Sequence, residues 1–347
     1  MAIPSRGQRV RGAPEPRQLP VTVDWGLAYE ALVGLALFIG GETESTYEVG
    51  ESWFRSVRRR GSVKLRESAR SVAGKDGHIL VGLAGLVRGS GGRSVADLVS
   101  RLRQESSSDV KRIFLAHSEP QHRDAILRGD RDPRREFLKD LSPGFRQVAK
   151  RALETEPRTL ARRMADVIER WDEEIFSELG GPLKPDLEAS AQSARRLSRQ
   201  LPTDRLIVKV THGVEYRPEP WIDSVVLVPS ILNRPWVDIL EFHSTKYFIY
   251  PASPDSVAPD VELVEVYKAL GDETRLRILR LMSSGITSLT DLAEKLGLAK
   301  STVHGHMVIL RMAGLTRSVV GGEGKGYVLN ERPDLNSLLD SYLRTAR

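Results

Sequence analysis

The sequence predicts a mainly α-helical protein with a small antiparallel β-sheet, an α+β chain of more than one domain. Three observations carry that prediction. Apolar residues recur at helical spacing through residues 21–203, beginning with Leu27, Leu32, Leu35 and Phe38. The period then shortens to two: Leu206, Val208 and Val210 alternate with Lys209 and Thr211, and further β-type runs fall at 225–228, 237–242 and 247–250. Helical spacing returns after residue 261, in short segments followed by a Gly-rich stretch. A length of 347 residues suits two or three domains.

Each part can be justified in order. Residues 1–20 hold Arg and Pro but no apolar core, so they read as a disordered basic tail and not as a signal peptide. Arg6, Arg9, Arg11 and Arg17 could follow a phosphate backbone, although a solvated tail is the simpler account. The apolar run 27–40 contains Glu30 and is too short to span a bilayer, so a buried helix is expected and no membrane partner. Apolar stripes broken at Gly40-Gly41, 89–92, Pro133, Pro143, Pro157 and 180–185 describe a helical domain over 21–203 with eight or more helices. Residues 204–251 are expected to form the small antiparallel sheet, packed on those helices. Pro251, Pro254 and Pro259 stiffen a linker at 252–260, which leads into a C-terminal domain at 261–347.

The C-terminal domain is the most informative segment. Leu270, Leu276, Ile278, Leu279 and Leu281 stripe a helix that ends near Ser283-Ser284-Gly285. Ser288 or Thr290 can cap the next helix, whose Leu289, Leu292, Ala293 and Leu296 face inward, and Gly297 supplies the tight turn after it. A third helix begins near Ser301, with Val303, Met307, Leu310 and Ala313 inward. Its other face carries Lys300, Ser301, Thr302, His304, Gly305 and Arg311. Residues 315–320 and 327–329 then form a hairpin whose tip is Gly321-Gly322-Glu323-Gly324-Lys325-Gly326. Three helices and such a hairpin make a winged helix-turn-helix, which places its third helix in the DNA major groove. Lys295, Lys300, Arg311, Arg317 and Lys325 outweigh Glu323, as phosphate contact requires. The expected roles are base reading by Ser301, Thr302 and His304, with Gly305 beside them, and phosphate holding by Lys300, Arg311, Arg317 and Lys325.

These residues carry a resemblance. LGDETRLRIL (270–279) resembles the Leu-x-x-x-Thr-Arg-Leu-x-Ile-Leu signature of ArsR-type repressors, and LAEKLGLAKSTVHGHMVILRMAGL (292–315) resembles their scaffold and recognition helices. The resemblance covers about a fifth of the chain. Longer regulators of this type carry an uncharacterised helical N-terminal domain with a "VLVPS" strand and an aromatic "YP" strand. Val226-Leu227-Val228-Pro229-Ser230 and Tyr250-Pro251 resemble these more weakly. The resemblance implies a homodimeric repressor that binds double-stranded DNA. Metal-sensing members place Cys ligands on the scaffold helix. With no Cys in the chain, thiolate sensing is excluded, and the absence of His from residues 334–347 disfavours a metal site on the final helix.

Nothing in the remainder points to catalysis. Arg88-Gly89-Ser90-Gly91-Gly92 lacks the Lys-Ser/Thr ending of a phosphate-binding loop, and His117 and His122 flank Pro120, so they do not share a helix face. No cofactor or metal is therefore expected. The basic run Arg55, Arg58, Arg59, Arg60, Lys64, Arg66 and Arg70 reads as a solvated surface or as a second phosphate patch. Trp221, Trp236, Phe242 and Tyr247 read as core aromatics or as the lining of an apolar effector pocket. A net charge of +6 and a pI near 9.5 are compatible with a nucleic-acid partner, 28% charged residues suit a soluble protein, and the absence of Cys suits a cytoplasmic one. The leading expectation is a sequence-specific DNA-binding transcriptional regulator. Its N-terminal domain would serve dimerisation, non-thiolate small-molecule sensing or both. The alternatives are an enzyme with an appended DNA-binding module and a winged helix used for protein contacts.

Overall fold

The computed structural model describes residues 18–40, 44–75, 77–88, 93–116, 118–252, 259–322, 326–330 and 335–345. The four tail arginines, His117, the glycines at 89–92, most of the linker and Lys325 lie outside the described residues. Strand β1 (Val21–Val23) opens the fold and helix α1 (Leu27–Ile39) follows it. Helices α2 (Gly50–Arg60), α3 (Val63–Ala73), α4 (Ala84–Arg88), α5 (Val95–Gln104), α6 (Asp109–Arg112) and α7 (Pro120–Arg128) come next. Helices α8 (Arg131–Asp140), α9 (Pro143–Glu154), α10 (Pro157–Trp171), α11 (Ser177–Ser198) and α12 (Thr203–Val210) complete the N-terminal helical region.

Helix α1 is apolar all round and twelve of its residues are buried, so it forms the axis of this region. Gly34 lets the packing close there: a Cβ on it would lie 3.0 Å from Leu232 and 3.1 Å from Trp171. Helix α5 begins with a capping box in which Ser94 and Asp97 satisfy each other's backbone N–H groups. Helix α10 packs across α5 and α3 with Leu160, Met164, Ile168 and Trp171 inward.

The chain then forms β2 (Val214–Tyr216), β3 (Ser224–Ser230), β4 (Asp238–Phe242) and β5 (Thr245–Pro251). The protein is mainly α with small sheets, as the patterning predicts, but the sheet differs in two ways. It runs β1-β3-β5-β4, with β1–β3 and β3–β5 parallel and only the β4–β5 hairpin antiparallel. Its first strand comes from residues 21–23, beside a buried Leu19, so residues 18–20 belong to the fold and not to a tail. The physical reason is double burial. Val226, Val228, Tyr247 and Ile249 face the large α1 core, while Val225, Leu227, Phe248 and Tyr250 face a second core under α11 and α12. Strands covered on both faces read as continuous apolar runs, the mark of parallel pairing.

Residues 206–210 differ as well, being helix and not strand. Leu206, Ile207 and Val210 form one buried helical face against that second core, while Lys209 stays exposed. Packing outweighs the β-propensity of an Ile/Val-rich segment. Strand β2 leaves the central sheet altogether.

Helices α13 (Pro259–Leu270), α14 (Glu273–Ser283), α15 (Leu289–Leu296) and α16 (Lys300–Met312) follow, then strands β6 (Thr316–Val320) and β7 (Gly326–Leu329) and helix α17 (Leu335–Thr345). Ala252 is buried and donates its N–H to Ser230 O (2.8 Å), so the expected linker begins inside the fold.

Candidate nucleic-acid interface

Local chemistry sets the helix-turn-helix. Asp272 caps α14 by accepting from Arg275 N (2.9 Å), and the Arg275 side chain donates to Ala269 O and Lys268 O (2.7 and 2.8 Å). That ties the end of α13 to the start of α14. The Arg275 N–H that it accepts holds the Asp272 carboxyl below the usual carboxylate range. Ser288 caps α15, and Gly297 ends it at φ +67°, a backbone that glycine adopts without strain. Ala269, Ile278, Met282, Leu292, Val303, Met307 and Leu310 close one core beneath the three helices. β6 and β7 pair antiparallel, and Tyr327 N donates to Thr287 O (2.9 Å), holding the wing against the turn between α14 and α15.

The wing has a third strand. β2 pairs parallel with β6 in the register Val214↔Ser318, Glu215↔Val319 and Tyr216↔Val320. Ser318 N donates to Gly213 O (2.8 Å), and Arg217 N to Val320 O (2.9 Å). The short alternating run Val214-Glu215-Tyr216 is a visible strand signal, but nothing in it names a partner a hundred residues away.

The expected DNA contacts therefore divide. Lys300, Ser301 and Thr302 are exposed at the N-terminal end of α16, where a basic and two hydroxyl side chains can meet phosphates and base edges. His304 stays solvent-exposed overall, yet its ring packs edge-on against Trp236 at 5.0 Å. Burial, and then the Arg311 charge, lower its pKa. Gly305 faces Thr46, whose Cγ2 would lie 3.9 Å from a Cβ at that position.

Arg311 requires a correction: it does not hold phosphate here. It is only 3% exposed and donates to the carbonyls of Thr211, His212 (3.2 Å) and Pro235 (3.0 Å). Burial pushes its pKa down to about 10. A guanidinium is the one side chain that can serve three carbonyls from a planar fork. Arg317 is half-buried and lies 3.6 Å from Glu215 of β2. Lys325 lies outside the described residues.

Among the described residues, the four aromatics of the expected pocket fall in three separate settings. Tyr247 and Phe242 belong to the large core, with Phe242 seated on Gly85. Trp221 is 37% exposed and donates to Glu241 Oε2 (3.2 Å), a carboxylate already held by Arg123 (2.5 Å) and Lys246 (3.2 Å). Trp236 lies against α16, between His304 and Tyr47. Its contact with α16 is not readable from its sequence neighbours.

In the basic run, Arg58 pairs with Glu44, Arg60 with Glu178 (2.9 Å), and Arg66 lies over the Phe38 ring. Among the described residues, no helix is long and apolar enough to cross a membrane.

Comparison agrees with the geometry of the C-terminal region. Residues 272–318 match the family model described as bacterial regulatory protein, arsR family. No curated protein and no solved structure matches the chain. The matched span runs from the cap of α14 through α15 and α16 into β6. The chain thus carries an ArsR-type helix-turn-helix, the DNA-binding module of transcription regulators.

Proposed function

We propose that this chain is a sequence-specific transcriptional repressor that binds double-stranded DNA as a homodimer and is not an enzyme. The observation that carries the reading is the ArsR-type module with Lys300, Ser301 and Thr302 exposed at the start of α16. Two such helices related by a two-fold axis would enter successive major grooves of an imperfect palindrome. Helices α13 and α17 support the homodimer. They pack together, and between them they expose Val264, Tyr267, Leu339, Tyr342 and Leu343. Apolar side chains grouped on two adjacent helices suit a self-complementary interface. The N-terminal region would dimerise, sense a small molecule without thiolates, or both, in the cytoplasm.

The test is fluorescence anisotropy with the duplex upstream of the chain's own reading frame and a random duplex of equal length, titrated with salt. The upstream duplex should bind at least ten-fold tighter, and Thr302→Ala should reduce that preference. Equal affinity for both duplexes would instead favour a winged helix that contacts protein. That reading draws support from the contacts α16 already makes with Trp236 and Thr46.

A further inference from the structure

Helix α16 shows the rest of the chain the face that DNA would need. At about 100° per residue, Val303, Met307 and Leu310 define its core side. The line diametrically opposite runs through Ser301, Gly305, Val308 and Met312. In a helix-turn-helix that line enters the groove. Here only its first residue is open. Ser301 is exposed, Gly305 and Met312 are half-buried, and Val308 is 6% exposed although it is no part of the winged-helix core.

The cover comes from three remote segments. Thr46 lies against Gly305. Trp236 carries the His304 ring and is itself packed on Tyr47 at 6.0 Å. The carbonyls of Thr211, His212 and Pro235 take the Arg311 guanidinium. Carboxylates border the cover: Glu44 pairs with Arg58, and Glu48 with Arg234 at 2.8 Å. A major groove about 12 Å wide just admits one helix with its side chains, about 10–12 Å across, and leaves no room for a second protein layer.

We propose that the N-terminal region is an intramolecular competitor of DNA, masking the recognition helix in this conformation. Sequence-specific binding requires residues 46–47, 211–213 and 235–236 to leave the outward line of α16. The apparent affinity for DNA is then reduced by the fraction of molecules in the open state. Any effector acts by its difference in affinity for the two states. The inference rests on the reading of α16 as the DNA-reading helix.

The absence of cysteine gives a clean test. A full-length Thr46→Cys, Gly305→Cys protein holds only those two thiols, on facing positions where Thr46 Cγ2 lies 3.9 Å from a Cβ added at Gly305. Oxidised and reduced samples of this one protein are titrated against the upstream duplex. The locked, oxidised form should bind at least ten-fold weaker than the reduced form. Equal affinity of the two forms, or failure of the thiols to cross-link under oxidation, overturns the masking. Trp236→Ala offers an independent variant and should tighten binding about five-fold or more. Unchanged or weaker binding by a folded Trp236→Ala protein counts against the proposal. If neither form nor the parent prefers the upstream duplex over random DNA, the DNA-binding reading itself fails, and the masking falls with it.

Discussion

At the scale of single residues, the informative groups are the polar ones buried without an obvious purpose. Glu30 lies in the apolar axis helix, fully buried, and its Oε1 accepts from Ile231 N (2.9 Å) and Leu232 N (2.7 Å). Burial raises its pKa from 4.5 to about 7, against the lowering effect of the Ser230 hydroxyl and those two N–H groups. His212, beside the Arg311 clasp, shifts the other way. Burial first, then the charges of Arg311, Lys209 and Arg234, lower it from 6.5 to about 4. The signs oppose. Glu30 binds its proton more readily in the folded state, so its contribution is full below pH 4.5 and fades as pH rises through 7. His212 contributes fully above pH 6.5 and loses that contribution as pH falls towards 4. Between these limits they offset one another in the parent protein. Replacing Glu30 with Gln removes one side of the balance. The stability difference between Glu30→Gln and parent should therefore shift in favour of the variant by roughly 2 kcal/mol from pH 5 to pH 7. Urea melts of both proteins at each pH measure it, and a difference that does not change with pH would contradict the assignment.

At the scale of elements, the junction of β2 with the wing joins the N-terminal region to the winged helix. Gly321 turns the chain out of β6 at φ +80°, and a Cβ on it would sit 2.2 Å from Arg217 O, just past β2. Gly321→Ala must therefore push the wing off β2 as well as strain its own backbone, at a cost of about 2–4 kcal/mol. Gly129 is the matched control: its φ is +100°, but nothing lies within 4 Å of an added Cβ. Gly129→Ala should cost only about 1 kcal/mol. Equal thermal-melt losses for the two variants would mean that β2 and the wing do not touch in solution. The same junction shows what a sequence can and cannot disclose. Helices α15 and α16 were legible because their caps, turn glycine and inward leucines are all local. The strands 224–230 and 245–251 were legible as strands, but their parallel pairing depends on cores that cover both faces, supplied by helices remote in sequence. Residues 206–210 read as strand in the sequence because Leu206, Ile207, Val208 and Val210 satisfy both periods, and only the core beneath α12 decides between them. Arg311 differs from the sequence expectation for a related reason. It lies among the basic residues of the C-terminal domain, while its three acceptors belong to a different part of the chain. Packing partners remote in sequence leave no mark on local spacing.

At the scale of the whole molecule, the ends of the winged helix have opposite characters. The groove-facing side of α16 is covered from within the chain, whereas α13 and α17 leave their apolar side chains open. Tyr267 is 47% exposed and Leu343 58%, and they lie on two helices that already pack on each other. Such a surface is costly to leave in water, and burial of a large side chain recovers about 1.5–3 kcal/mol. A two-fold contact would double each gain, because every residue is used twice. Replacing Tyr267 and Leu343 together by Lys places four cations across the dyad, which should shift the protein to monomer at micromolar concentration. Sedimentation equilibrium reads that change directly. Loss of the dimer should also weaken binding to the upstream duplex far more than binding to a single half-site, because only the two-site complex depends on the linkage of two recognition helices. Masking and dimerisation separate cleanly in such measurements: the α13/α17 variant changes the association state and keeps the redox response of the Thr46–Gly305 pair, while that pair changes affinity at constant association state. A variant that remained dimeric would move the self-contact to the N-terminal helical region, and then the cover on α16 and the dimer interface would belong to the same rigid body.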